Sequence, residues 1–367
     1  LKPQVLIILS LLLSFGGQAK QNISAVYIPL ADHYAAIVAH HKYKDKMQYA
    51  NFELKQMKNW DLLQAYFLEE KSDIAFVMSP LAMHMYHKKP NFKWIGLMHR
   101  DGNALAINEE LEKLIPIAKS RKDRAADEKT AKAILATYHK TNRPIEIALP
   151  HLQSTHAVVL YQYLKNHGLS MSILPNADTH VIGVSIAPPK APLFLLRKSI
   201  RGKAAAFEQS LPWADVVETE GFGKVAWYSK QVLKSNVGHV ECIALANNTA
   251  IKNKQAAIKE VMFYIHKAGQ DIEQARSNQQ ALAELVDIIH QYIPSHTAKA
   301  IIASLDPELK VINYNQLNID KAGLNQIMQI AVEARILKQK IDIDKFADER
   351  FNIDLNLSSH AKFGDPL

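Results

Sequence analysis

Between residues 73 and 98 the chain reads DIAFVMSPLAMHMYHKKPNFKWIGLM. Asp73-Ile74-Ala75-Phe76-Val77 predicts a strand, and Met78-Ser79-Pro80 opens a helix. Phe92–Met98 predicts a second strand that leads into His99-Arg100-Asp101-Gly102-Asn103. Strands that alternate with helices in this way imply an α/β fold with a mostly parallel sheet covered on both faces.

The same alternation extends in both directions. Upstream, Ser24–Ile28 predicts a buried strand followed by the loop Pro29-Leu30-Ala31-Asp32-His33, with Asp32 placed to cap a helix running to about His41. Phe52-Glu53-Leu54 predicts another strand, and a helix opens at Trp60 with Leu62, Leu63, Tyr66 and Phe67 at helical spacing. Downstream the pattern restarts. Lys119–Lys132 is charged and Ala-rich, and predicts a solvated helix or a crossover. Strands are expected at Ile145–Leu149, His180–Ile186, Ala204–Phe207 and Val240–Ala246, and helices at His156–His167 and Lys254–Ser277. From Leu282 the pattern is mainly helical. Two α/β units with a return of the chain are therefore expected: residues 20–115 as a first lobe, 116–220 as a second, and 221–367 returning to the first and ending in helices. Hinges are expected near 105–120 and 215–235, with a ligand cleft between the lobes beyond the carboxyl ends of the strands.

Composition narrows the function. Of 367 residues, 48% are hydrophobic and 22% charged, which excludes a disordered or collagen-like chain. Lys and Arg number 44 against 36 Asp and Glu, a net +8 that is not gathered into one block and accompanies no nucleic-acid motif, so no nucleic-acid partner is expected. Cys242 is the single cysteine, which precludes an intrachain disulfide and a multi-cysteine zinc site. Lys2, the apolar run Val5–Phe15, Gly17 and Ala19 have the pattern of a secretory signal peptide cleaved after residue 19; the run is too short to span a bilayer, so an exported, periplasmic protein is expected.

The strand ends carry His33, Ser79, Asn103, Ser154, Thr155, His156 and Ser210, hydrogen-bonding groups without a nucleophile–base order. No G-x-S-x-G, G-x-G-x-x-G or G-x-x-x-x-G-K-[ST] occurs. Each of these polar residues is also compatible with turn or cap chemistry; Thr155 in particular could cap the helix at His156. His84 and His87 stand at helical spacing for a metal, but beside Lys88-Lys89 they read as surface residues, so no metal and no cofactor are expected.

Several of these segments resemble the periplasmic solute-binding proteins of nitrate/sulfonate/bicarbonate ABC transporters, a branch of the type II binding-protein fold that also includes binding proteins for thiamine-pyrimidine precursors. Ile28–His33 resembles the family's first strand-to-helix loop, Lys58-Asn59-Trp60 its turn before the second helix, and Asp73–Pro80 its next strand and loop. Gly102-Asn103-Ala104-Leu105 is similar to a Gly-Gln-Ala-Ile element, and Ser154-Thr155-His156 with Tyr161–Leu164 to a Ser-Thr-His helix start. Ala206-Phe207 with Pro212-Trp213, and Arg335–Leu337 through Asp348–Phe351, resemble its later elements.

The resemblance implies a monomeric binding protein, not an enzyme, that captures a small, polar, anionic ligand by lobe closure and delivers it to an ABC permease or a membrane sensor. It assigns ligand contacts to Trp60, Asn103 and His156, with His239 near a position where the nitrate branch carries lysine. Leu211 and Ala205 replace a Glu and an Asp of the family, against a calcium-assisted bicarbonate mode. A pyrimidine-synthase-like enzyme is the alternative from the same superfamily; it would need a cysteine-rich motif that this sequence lacks.

Overall fold

The computed structural model describes residues 19–174 and 178–356. The expected signal segment Lys2–Phe15 therefore lies outside the described residues. Among those described, no helix is long and apolar enough to cross a membrane.

The strands are β1 (Gln21–Tyr27), β2 (Ala50–Gln56), β3 (Ile74–Met78), β4 (Phe92–Leu97), β5 (Arg100–Asp101), β6 (Asn103–Ile107), β7 (Ile145–Leu149), β8 (Met171–Ser172), β9 (Val181–Ser185), β10 (Ala206–Ser210), β11 (Lys224–Tyr228), β12 (Cys242–Asn247) and β13 (Ile312–Asn313). They form two principal sheets, in the orders β2-β1-β3-β12-β4 and β11-β6-β10-β7-β9-β8, while β13 pairs only with β5. In the first sheet β1 runs parallel to β2 and β3, whereas β12 is antiparallel to both its neighbours. In the second, β7, β8, β9 and β10 are mutually parallel, and β6 is antiparallel to β10 and β11.

Strand β3 shows why this sequence needs cover on both sides. All five of its residues are buried. Ile74 and Phe76 pack with Ile37 and Val38 of the helix Tyr34–Tyr43 and with Ile258 and Met262 of the helix Asn248–Ala275. Ala75 and Val77 face the other way, toward Leu63, Phe67 and Leu81. The two-residue period of a strand thus feeds two separate cores, each large buried side chain contributing ~1.5–3 kcal/mol.

Sheet membership changes between Leu97 and Asn103 and again between Tyr228 and Cys242. The expected boundaries stood at 115/116 and 220/221; the sheets place Asn103–Ile107 and Lys224–Tyr228 together as antiparallel partners in the second sheet. Each passage holds a glycine with left-handed backbone: Gly102 at φ +94° and Gly238 at φ +88°. A Cβ on Gly238 would lie 2.5 Å from Asp101 Oδ2, so only glycine lets the two passages run side by side.

Several local expectations are corrected. Asp32 does not cap a helix: it lies in the short turn Ala31–His33, and the helix Tyr34–Tyr43 has no side-chain cap. The cap of the helix Thr155–Asn166 is Ser154, whose Oγ accepts from Ala157 N, and not Thr155. Lys119–Lys132 is not a solvated helix. The helix starts only at Glu128, capped by Asp127. Ahead of it the buried Arg124 donates to Glu218 at 2.6 and 2.9 Å and to the Val225 carbonyl at 2.7 Å. Because Glu218 follows β10 and Val225 lies in β11, this guanidinium ties the segment after β6 to the second sheet. The strand expected at Ala204–Phe207 instead runs Ala206–Ser210, which brings Glu208, Gln209 and Ser210 into the sheet.

Away from the sheets, His296 joins three elements. Its Nε2–H donates to the Pro29 carbonyl at 3.1 Å, the Tyr34 hydroxyl donates to its Nδ1 at 2.9 Å, and its ring meets Trp213 with centroids 5.1 Å apart. Burial pulls this imidazole down to about 3 from the ordinary 6.5, and it pulls His266 down to about 4. Once unfolded, each histidine takes up a proton below about pH 6.5 that the fold refuses. Their contribution is therefore intact above that pH and is lost as pH falls toward the folded values. Each adds a slope of about 1.4 kcal/mol per pH unit. Urea unfolding is expected to show stability falling from neutral pH to about pH 5, and His296→Gln is expected to remove about one proton from that slope. An unchanged slope in the variant would contradict a neutral, buried His296.

Candidate functional site

The carboxyl ends of the first sheet's strands and the facing ends of the second converge on a buried polar cluster. Asp32 comes from the turn after β1, His99 from the segment after β4, and Glu241 and Cys242 from the start of β12. His156 sits in the first turn of the helix Thr155–Asn166, and Ser210 ends β10. All six are at most 0% exposed.

Asp32 is held from both sides. Its Oδ2 accepts from Ser210 Oγ at 3.0 Å, and its Oδ1 lies 3.6 Å from His99 Nε2. His99 Nε2 also stands 3.1 Å from Glu241 Oε2. Burial disfavours the His99 imidazolium, but the two carboxylates outweigh it and push the group up to about 10. Burial acts against the Asp32 carboxylate too, and the charge of His99 nevertheless holds it below its ordinary value. Glu241 has less help: burial, then the charge of Asp32, push it up to about 7.

These charges fix the protons. An ionised Asp32 accepts, so Ser210 spends its one hydrogen on Asp32 and receives a hydrogen bond from His156 Nε2–H, 2.9 Å away. His156 is then left with a bare Nδ1, 3.6 Å from Glu241 Oε1. Burial keeps this ring neutral, pulled down to about 3. Ser210 is therefore not activated as a nucleophile: its hydrogen points away from the imidazole that would have to remove it.

The remaining candidates surround this cluster. His33 donates from Nδ1 to the Ile28 carbonyl at 2.7 Å, which turns a bare Nε2 toward Cys242 Sγ at 3.2 Å. Trp60, the first residue of the helix Trp60–Leu68, joins through His33, with ring centroids 6.2 Å apart. Ser79 N donates to the Glu241 carbonyl at 2.9 Å. Asn103 opens β6 and joins through Ser229, whose Oγ accepts from Asn103 N at 3.3 Å. His239 lies one step farther out, at the second passage: its Nε2 is 2.9 Å from Ser229 Oγ and its backbone N donates to Asp101 Oδ1. It does not touch the Asp32–His99–Glu241 group directly. His84 and His87 stand apart; burial lowers the half-buried His84 to about 4, and His87 pairs with Gln339.

The cluster holds an unusual density of unspent hydrogen-bonding capacity. The buried atoms without partners include Trp60 Nε1, Asn103 Nδ2 and Oδ1, Thr155 Oγ1, His156 Nδ1, Asp32 Oδ1, Glu241 Oε1 and both carboxyl oxygens of Glu208. Burial and neighbouring carboxylates push Glu208 well above its ordinary value, so it is a neutral acid. Buried polar atoms are otherwise almost always paired. Sequence reasoning missed Asp32 as a site residue, along with His99, Glu208, Glu241 and Cys242. A signal for Glu241 was present, since it is the one charged residue in the apolar stretch Val240–Ala246 expected as a strand.

Residues 16–287 match the NMT1-like family profile. No curated protein sequence matches the chain. Among solved structures, the periplasmic nitrate-binding protein NrtA from Synechocystis PCC 6803 is similar at 15% identity, covering 90% of this chain and 87% of that one, with a TM-score of 0.74. A ligand-binding component of an ABC-type import system from Staphylococcus aureus, solved with zinc bound, is similar at 17% identity, with 90% and 98% covered and a TM-score of 0.68. The alkanesulfonate-binding protein SsuA from Xanthomonas axonopodis pv. citri, bound to MOPS, is similar at 9% identity, with 90% and 99% covered and a TM-score of 0.65. The architecture is that of the periplasmic binding-protein fold.

Ser210→Ala tests the network. It leaves Asp32 Oδ2 and His156 Nε2 buried without their shared partner, and is expected to destabilise the protein by about 1–3 kcal/mol. Urea unfolding should show a lower midpoint with an unchanged slope. A midpoint equal to that of the parent would mean that Ser210 does not link the two sheets.

Proposed function

The chain belongs to the NMT1-like family, and from that premise we propose that it is an extracytoplasmic solute-binding protein that closes two lobes over one small polar molecule for delivery to an ABC importer. One lobe is built on the β2-β1-β3-β12-β4 sheet and the other on the β11-β6-β10-β7-β9-β8 sheet. The hinge is assigned to the two passages at Leu97–Asn103 and Tyr228–Cys242. The N-terminal pattern of Lys2, Val5–Phe15 and Ala19 supports export.

The observation that carries this reading is the set of unpaired buried polar atoms contributed by both sheets. Trp60 Nε1 and Asp32 Oδ1 come from the first side, and Asn103, Thr155 and Glu208 from the second. A molecule enclosed between the lobes would satisfy both groups at once, so its binding favours the closed arrangement. The unactivated hydroxyl of Ser210 speaks for binding rather than hydrolysis.

The same atoms refine the solute. Asn103 Nδ2, Trp60 Nε1, Thr155 Oγ1 and the His99 imidazolium offer donors to an anionic group. Asp32 Oδ1 and Glu241 Oε1 ask for donors in return. The fit is therefore to an anion that carries amino or hydroxyl groups of its own, such as an aminosulfonate, and not to a bare oxyanion such as nitrate, which has no hydrogen to give.

Thermal shift of the purified protein tests this directly. An amino- or hydroxyl-bearing sulfonate at 100 times its Kd is expected to add about 2.7 kcal/mol of stability. Nitrate is expected to add none. Asn103→Ala is expected to lower affinity for the stabilising compound by about tenfold or more, the loss of a hydrogen bond to a charged partner. If no polar solute stabilises the protein, and mass spectrometry of gently purified material finds no bound small molecule, the solute-binding reading falls.

A further inference from the structure

Four side chains on the first-sheet half of the cluster meet the requirements of a metal site. One ligating atom each from Asp32, His99, Glu241 and Cys242 can be chosen so that all lie within 4.8 Å of one another, and all four residues are buried. His99 Nε2 stands 3.1 Å from Glu241 Oε2 and 3.6 Å from Asp32 Oδ1. Four ligands at 2.0–2.3 Å from a tetrahedral centre lie roughly 3.3–3.8 Å apart, so these separations need little adjustment. Among the described residues this is the His/Cys/Asp/Glu group with that geometry.

Two further observations point to a ligand. Asp32 Oδ1 and Glu241 Oε1 are buried carboxylate oxygens without hydrogen-bond partners. The surroundings are also oriented: Ser210 Oγ donates to the other oxygen of Asp32. Hydrogen bonds behind the ligating atoms are how metal sites hold their ligands in place.

We propose that Asp32, His99, Glu241 and Cys242 bind one divalent transition-metal ion of the zinc class on the floor of the cleft. One sulfur, one nitrogen and two oxygens suit a borderline ion in tetrahedral geometry, whereas calcium and magnesium call for six or more oxygens. Loading the ion sends the Cys242 thiol proton and the proton on His99 Nε2 to solvent, and nothing is oxidised. All four ligands belong to the first-sheet side, so the ion binds whether or not the second sheet closes over it. The site shares Asp32, His99 and Glu241 with the solute-binding reading; with the ion in place these three are taken up by the metal, and the solute keeps Trp60, Asn103, Thr155 and Glu208.

Cobalt(II) and zinc(II) titrations of the chelator-treated full chain decide the matter. The expected result is one ion per chain by native mass spectrometry, with thiolate-to-cobalt charge-transfer absorption in the cobalt form. Cys242→Ser is expected to abolish that absorption, and it is diagnostic because Cys242 is the only cysteine. Asp32→Asn and His99→Gln, checked for folding by circular dichroism, are expected to lower zinc affinity by about tenfold or more, and Ser210→Ala, acting behind Asp32, by about 10–100-fold. Absence of the charge-transfer band in the folded parent protein, or failure to retain zinc at one ion per chain, overturns the proposal. If a polar solute still stabilises that metal-refusing protein, the metal inference fails alone. If zinc binds but no solute stabilises either form, the solute-binding reading fails and the metal site stands.

Discussion

Asp32 is a buried negative charge, and the centre of the molecule is arranged around what that requires. A carboxylate removed from water is tolerated only with a charge partner and hydrogen bonds on its remaining lone pairs. Here one oxygen looks to His99, within its own sheet, and the other accepts from Ser210 of the opposite sheet. His99 stays protonated because Asp32 and Glu241 face it, and His156 stays neutral because burial there outweighs the charge of Asp32. The protonation pattern of the whole cluster follows from this one group.

The two halves are also fastened by the residues that flank Asp32 and Ser210. Ala31 N donates to the Leu211 carbonyl at 2.8 Å, and the Trp213 indole donates to the Pro29 carbonyl at 3.1 Å. The same carbonyl accepts from His296, so the loop after β1 serves both sheets and the C-terminal helices. At the passages, Asp101 accepts from the backbone of His239, while an open groove of about 770 Å³ beside them is lined by Lys230, Lys234, Glu273 and Gln316 and contains none of the cluster residues. Rotation of one half against the other would break the Ala31, Trp213 and Ser210 bonds, all of which leave a single loop.

The α/β class was legible because strand and helix periods differ so plainly between Asp73 and Met98. The strand-end rule likewise singled out His33, Ser79, Asn103, Thr155, His156 and Ser210, all of which are buried. What the rule could not separate was a cap from a residue of the buried cluster, since Asp, Ser and Thr serve in both; Asp32 read as a cap because it precedes a helix, and its partner Ser210 is 178 residues away in the chain. Arg124 read as solvent-facing because its neighbours are charged and its partner Glu218 is distant in sequence. The sheet switches were obscured for the same reason: Asn103–Ile107 and Lys224–Tyr228 find each other across more than a hundred residues, and nothing local marks an antiparallel partner.

The position of β12 has a consequence for how the chain reaches this structure. It lies between β3 and the edge strand β4, both made about 150 residues earlier, so β4 has no place in the first sheet until the whole of the second has been synthesised. Until then β3 and β4 each expose an unpaired edge. Joining them is a long-range event that loop entropy makes slow. The half that begins first is completed last, and a ribosome-bound or partly translocated chain ending before Cys242 holds all the second sheet's strands but lacks the one that joins β4 to the first.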